Sequence, residues 1–125
     1  MKLVDTTIAV DHLRGATAAT DLLTGLISDG ETLVASEITR FELLAGVRGT
    51  ELEALEAFFS SLAWAPIDEE ISREAGTLAR RLRRSHSGID DADYVIAATA
   101  AVLGAGLLTT NVRHFPMIKG LRAPY

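Results

Sequence analysis

The sequence predicts an α/β protein: a parallel sheet with helices on both faces. Two observations carry that expectation. Short apolar runs alternate along the chain with longer stretches of helical spacing, the pattern of strand–helix units. In addition, Tyr94 to Leu108 is nearly all apolar, yet Thr99, Gly104 and Gly106 interrupt it. It is too short for a membrane span and reads as a buried helix, a glycine turn and a strand. The 125 residues suit one core, so residues 1–125 are expected to form a single domain.

The elements follow in order. Lys2 to Val4 is a short apolar run ending at Asp5, a first strand. Thr6 to Leu13 reads as a helix closed by Gly15. Ala18 to Ile27 carries Ala19, Leu22, Leu23, Leu26 and Ile27 at helical spacing. Asp29-Gly30 marks a turn, and Thr32 to Ala35 a second strand. Ser36 is placed to cap a helix running to Val47. Thr50 and Glu53 have the spacing of a capping box ahead of a helix with Leu52, Leu55, Phe59 and Leu62 on one face. Trp64 to Ile67 suggests a short strand. Asp68 then caps a long helix striped by Ile71, Ala75, Leu78 and Leu82. The buried helix follows, then a strand at Leu107 to Thr109 and a last one near Leu121.

Composition narrows the function. Hydrophobic residues at 48% and charged residues at 23% describe a globular chain rather than a disordered one. A net charge of −5 means that any anionic partner must be held by a local patch or a metal. The absence of cysteine excludes disulfides and thiolate metal sites. The N-terminal MKLVDTTIAVDHL lacks the uninterrupted apolar core of a signal peptide, and a cytoplasmic location is expected.

In open parallel sheets, ligands bind at the carboxyl ends of strands. Asp5 ends the first strand and Asn111 follows the strand at Leu107. Asp93 lies in the first turn of the buried helix, on a face with Ile96, Ala97 and Ala100. Each also has a plainer role, as a turn residue, a left-handed turn or a helix cap. Glu42 is harder to explain plainly. It falls at i+4 in a stripe of Ile38, Phe41 and Ala45, where an unpaired carboxylate is costly. It needs Arg40 or Arg48 as an ion-pair partner, or a metal shared with other carboxylates. Oxygen ligands from distant parts of the chain suit a hard cation such as Mg²⁺ or Mn²⁺. His12, His86 and His114 form no zinc pattern, and there is no P-loop, dinucleotide loop or nucleophile motif. Arg80, Arg83 and Arg84, in ARRLRRSH, form either a solvated helix face or a phosphate-contacting patch.

Four segments in this order (VDTT, ITRFELLAG, DYVIAATA and LLTTNVRHF) resemble the PIN-domain ribonucleases, specifically the VapC toxins of bacterial toxin–antitoxin pairs. The likeness spans Val4 to Phe115. It implies a compact three-layer α/β/α fold and an endoribonuclease using Mg²⁺ or Mn²⁺. The family's acidic positions fall on Asp5, Glu42 and Asp93, and its fourth on Asn111, which lacks the charge. The implied metal ligands are Asp5 and Asp93, with Glu42 and Asp91 as auxiliaries; Asp90 and Asp91 match no ligand position, and the alternative role of Asp91 is to cap the helix with Asp90. Thr6 and Thr109 match supporting hydroxyls behind the ligands, and Arg80, Arg83 and Arg84 are candidate RNA contacts. The resemblance also implies a homodimer, a VapB-like antitoxin covering the site, and structured RNA such as tRNA as substrate. Two rivals stand beside it. One is a receiver-type Mg²⁺-binding phosphoacceptor, which Lys2 and Lys119 as the only lysines argue against. The other is a non-catalytic acidic module that binds a basic partner.

Overall fold

A computed structural model describes all 125 residues. The elements are β1 (Lys2–Val4), α1 (Thr6–Leu13), α2 (Thr17–Ser28), β2 (Leu33–Ser36), α3 (Glu37–Gly46), α4 (Leu52–Phe59), β3 (Ala63–Ala65), α5 (Glu69–Leu82), α6 (Asp91–Leu103) and β4 (Gly106–Leu108). The four strands are all parallel, in the order β3-β2-β1-β4. The β1 strand therefore lies inside the sheet, with Leu3 opposite Val34 on one side and Leu107 on the other.

Successive strand residues point to opposite faces, and here each face is a core. Leu3, Val34, Ala65 and Leu107 pack with α5, α6 and Phe115. Val4, Leu33, Ala35 and Leu108 pack with α1, α2, α3 and α4. This is a three-layer α/β/α sandwich. It explains why the strands are apolar runs without alternation: both of their faces are buried.

The caps start the helices where the sequence suggests. Ser36 Oγ accepts from Ile38 N at 3.1 Å, and Asp68 Oδ1 from Ile71 N at 2.9 Å. The α6 helix ends at Gly104, whose φ of 63° is left-handed and costs a glycine little. No helix is long and apolar enough to cross a membrane.

Three local expectations are corrected. Thr50 and Glu53 form no capping box. Residues Gly49–Glu51 make one 3₁₀ turn with Thr50 inside it, and α4 begins at Leu52 without a side-chain cap. No strand forms near Leu121. That segment carries Pro116, Gly120 and Pro124, and its apolar residues Met117, Ile118 and Leu121 pack on the α5–α6 core instead. On α3 the inward line is Thr39 and Leu43, rotated from the Ile38–Phe41–Ala45 stripe, and Phe41 is 65% exposed.

Candidate active site

The carboxyl ends of β1, β2 and β4 open onto one cavity of about 380 Å³. Asp5, Glu42, Asp93 and Asn111 all line it, so residues from four distant segments meet at one place. Asp5 follows β1 directly and caps α1. Glu42 comes from the second turn of α3, just beyond β2. Asn111 follows β4. The α6 helix runs back against the sheet, and this brings Asp93, in its first turn, to the same end.

Asp5 is only 4% exposed, so its charge must be met by donors. Its Oδ1 accepts from Thr6 N at 2.8 Å. Its Oδ2 accepts from Thr109 Oγ1 at 2.6 Å and from Thr7 Oγ1 at 3.1 Å. A carboxylate offers about four lone-pair directions; with three used, one remains on Oδ1. The fully buried Thr109 also accepts from Asn111 N at 2.9 Å, which ties the β4 end to the β1 end.

Asp93 is 9% exposed. It and Asp90 cap each other reciprocally: Asp90 Oδ1 accepts from Asp93 N at 3.0 Å, and Asp93 Oδ2 from Asp90 N at 3.2 Å. His114 Nδ1 lies 2.9 Å from the same Asp93 Oδ2 and 3.0 Å from Asn111 Nδ2. One ring nitrogen cannot donate and accept at once, so these two contacts belong to different tautomers or to a turned Asn111 amide. Asp93 Oδ1 is left free. Burial pushes the Asp93 carboxyl up to about 6 from 3.8, against the pull of the Asp90 backbone N–H, and the Asp90 charge adds to the rise. The His114 ring draws it down, but burial wins.

Glu42 is half-buried, and its partner is neither expected arginine. Thr6 Oγ1 donates to Glu42 Oε1 at 2.7 Å and lies 3.1 Å from Thr39 Oγ1. Arg40 is held by Glu37 at 2.6 Å and stacks on Trp64 at 3.8 Å; Arg48 faces Glu51 at 3.7 Å. The ion-pair explanation of Glu42 therefore falls away, and Oε2 is free.

Asp91 departs from its expected place beside the metal ligands. Its side chain is 91% exposed and pairs with Arg83 at 2.8 Å, outside the cavity. It occupies the first position of α6, while Asp93, two residues on, turns inward. Arg80, Arg83 and Arg84 line a separate shallow groove along α5. Sequence reasoning missed Thr7, Asp11, Arg14 and His114. The three-residue spacing of Asn111 and His114 across one 3₁₀ turn was a usable signal for the last of them.

The donor set of the cavity fits a hard divalent cation. After the internal bonds are counted, Asp5 Oδ1 keeps one lone pair, Asp93 Oδ1 and Glu42 Oε2 are free, and Asn111 Oδ1 is free when Nδ2 faces His114. No three acidic or imidazole side chains converge tightly enough to enclose an ion by themselves.

Fold and site together define an open parallel α/β domain with an acid-lined cleft at its strand ends. The PIN domain family model matches residues 2–120. The chain is 66% identical to ribonuclease VapC19 of Mycobacterium tuberculosis over 125 residues, all of both chains. It is 42% identical to ribonuclease VapC10 of the same organism over all of this chain and 93% of that one. The fold is similar to that in the crystal structure of VapBC2 from Rickettsia felis bound to a promoter DNA fragment. There the TM-score is 0.83 and identity 24%, over 98% of this chain and 96% of the other. The chain belongs to the PIN-domain family, among its VapC ribonucleases. The receiver-type alternative is set aside by this membership.

Proposed function

We propose that this chain is a divalent-metal-dependent endoribonuclease, the toxin of a toxin–antitoxin pair, and that Asp5 and Asp93 hold the cation with Glu42 and Asn111 beside them. The carrying observation is the convergence of these four residues in one cavity, each with acceptor capacity to spare: a lone pair on Asp5 Oδ1, and an oxygen each on Asp93, Glu42 and Asn111. Mg²⁺ or Mn²⁺ bound there supplies an activated water and offsets charge on the scissile phosphodiester.

The chain's own residues set the geometry of that chemistry. Thr109 and Thr7 fix the Asp5 carboxylate, so the one lone pair left on its Oδ1 has one direction. The reciprocal Asp90 cap and His114 fix Asp93 in the same way. Thr6 turns Glu42 toward the cavity, where it can hold and orient a water. Asn111 adds an oxygen without a charge, which favours one tightly held cation over two. Five carboxylates line the cavity, counting Asp11 and Asp90; without a cation they repel an RNA backbone. The expected products carry a 5′-phosphate and a 3′-hydroxyl.

The substrate class is structured RNA such as tRNA, and the setting is the cytoplasm. Arg80 in the last turn of α5, and Arg83 and Arg84 just past its end, line one groove and are close enough to add backbone contacts. An antitoxin partner is supported by the toxin–antitoxin complexes among similar folds. Exposed Phe41 and Leu44 on the Glu42 helix offer apolar surface for it, and a homodimer is the assembly we expect. The test is incubation of purified chain with tRNA in Mg²⁺, Mn²⁺ or EDTA, followed by end analysis. Cleavage with divalent cation only, leaving 5′-phosphates, is expected. Equal cleavage in EDTA would refute the metal-dependent reading.

A further inference from the structure

One cation lies among the cavity's acids and is not explained by them. Arg14 caps the carboxyl end of α1 and is the only lysine or arginine lining the cavity. It is exposed, and no carboxylate lies within ion-pair distance, although five line the same cavity. Its natural helical partner is Asp11, three residues earlier on the same face. The Asp11 carboxylate is turned elsewhere: its Oδ2 accepts from the Tyr125 hydroxyl at 2.6 Å, and it makes no ion pair with Arg14. Glu42, the other nearby acid, accepts from Thr6 through Oε1 and makes no ion pair with Arg14, although its Oε2 is free. Arg14 also lines a second cavity of about 210 Å³ that runs on past Glu42 between α1, α3 and α4, toward Leu43, Val47 and Leu55. Arg14 and Glu42 are therefore shared walls of two adjoining hollows, one acidic and one of mixed lining that includes Glu51.

We propose that Arg14 is a substrate-binding residue that grips an RNA phosphate next to the scissile one, and that Tyr125 keeps it available by holding the Asp11 carboxylate turned away from it. The inference rests on the nuclease reading of the acidic cavity. A guanidinium left free beside acids that hold a cation suits a ligand whose negative charge extends past that cation. A polyanion entering the acidic cavity and leaving along the second one passes Arg14. The planar fork of arginine matches two oxygens of one phosphate, which an ammonium cannot do.

The test measures binding of a labelled single-stranded RNA by fluorescence anisotropy from 50 to 200 mM KCl. It is run in Mn²⁺ in a Glu42→Gln background, so that the cation stays in place and the RNA stays intact. Cleavage kinetics of the otherwise unaltered chain in Mn²⁺ run in parallel. Arg14→Gln should raise Kd about fivefold and lower the slope of log K against log salt by about 0.7, the value for one phosphate on a single strand. In cleavage it should raise KM with little change in kcat. Arg14→Lys should recover the slope while binding more weakly than the parent. Arg73→Gln removes an equal charge paired with Glu69 on α5 and should change neither. Tyr125→Phe frees Asp11 to capture Arg14, so it should weaken RNA binding by about twofold in the parent and not at all in Arg14→Gln.

An unaltered slope and Kd in Arg14→Gln, with a parent that binds and cuts RNA, overturns this inference alone. So does an unaltered slope with a changed Mn²⁺ affinity, which makes Arg14 a counter-ion of the acids. An unaltered slope with lost affinity for the antitoxin overturns it in favour of a protein-facing role. A parent that neither binds nor cuts RNA overturns the nuclease reading and this inference with it.

Discussion

Removing the Asp93 charge should make the metal-free protein more stable, although that carboxylate accepts from Asp90 N and contacts His114. The carboxyl is nearly buried, and its pKa is raised from 3.8 to about 6. A carboxyl whose folded pKa lies above its unfolded one binds its proton more tightly when folded. It therefore costs stability as pH rises through that interval. At 1.36 kcal/mol per pH unit, the gap corresponds to ~3 kcal/mol at pH 8. Roughly half of this has developed at pH 5, and almost none at pH 3. Asp93→Asn keeps an acceptor for Asp90 N and His114 but weakens the His114 bond, so a net gain of about 1–3 kcal/mol remains. For a domain of this size that is a rise in Tm of roughly 4–12 °C. Thermal melts in EDTA at pH 8 and pH 5 measure it, and the gain should shrink at the lower pH. A variant that melts below the parent at pH 8 refutes the reasoning. It would mean that the His114 contact outweighs burial and that Asp93 is half of a stabilising pair.

Two further substitutions separate the other acidic positions. Glu42→Gln should abolish most cleavage while changing Tm in EDTA by only a few degrees, because Glu42 has a threonine partner and no arginine to strand; a loss of 3–5 kcal/mol would restore the buried ion pair. Asn111→Asp should tighten Mn²⁺ binding about tenfold or more by calorimetry, since it adds a fourth charge at a free oxygen; unchanged binding would place Asn111 away from the ion.

Much of this architecture was legible from residue patterns. The cap residues Ser36, Asp68 and Asp90 and the glycine at 104 mark boundaries through local chemistry, which a sequence displays directly. The opposed cores of the sheet follow from strands apolar on both faces. The failures are tertiary. Near Leu121, apolar residues reach the core from an irregular segment, and periodicity cannot distinguish that from a strand. On α3, the apolar stripe and the buried line differ, because packing against the sheet selects Thr39 and Leu43 and leaves Phe41 outside. The positions of Asp5, Glu42, Asp93 and Asn111 could be named from the resemblance, but their bonding could not. Thr7 and His114 support the two aspartates from 2 and 21 residues away. The link from Tyr125 to Asp11 spans 114 residues, a distance over which no local pattern operates.

The central claim is that Asp5 and Asp93 hold one divalent cation on which RNA cleavage depends. Calorimetric titration of the metal-free chain with Mn²⁺, beside Asp5→Asn, tests it most directly. The parent should bind about one ion per chain in the cleft. The variant should retain its fold by circular dichroism, show no binding in the same range, and leave tRNA uncut. Equal Mn²⁺ affinity in parent and variant, or cleavage by the variant at the parent rate, would contradict the account.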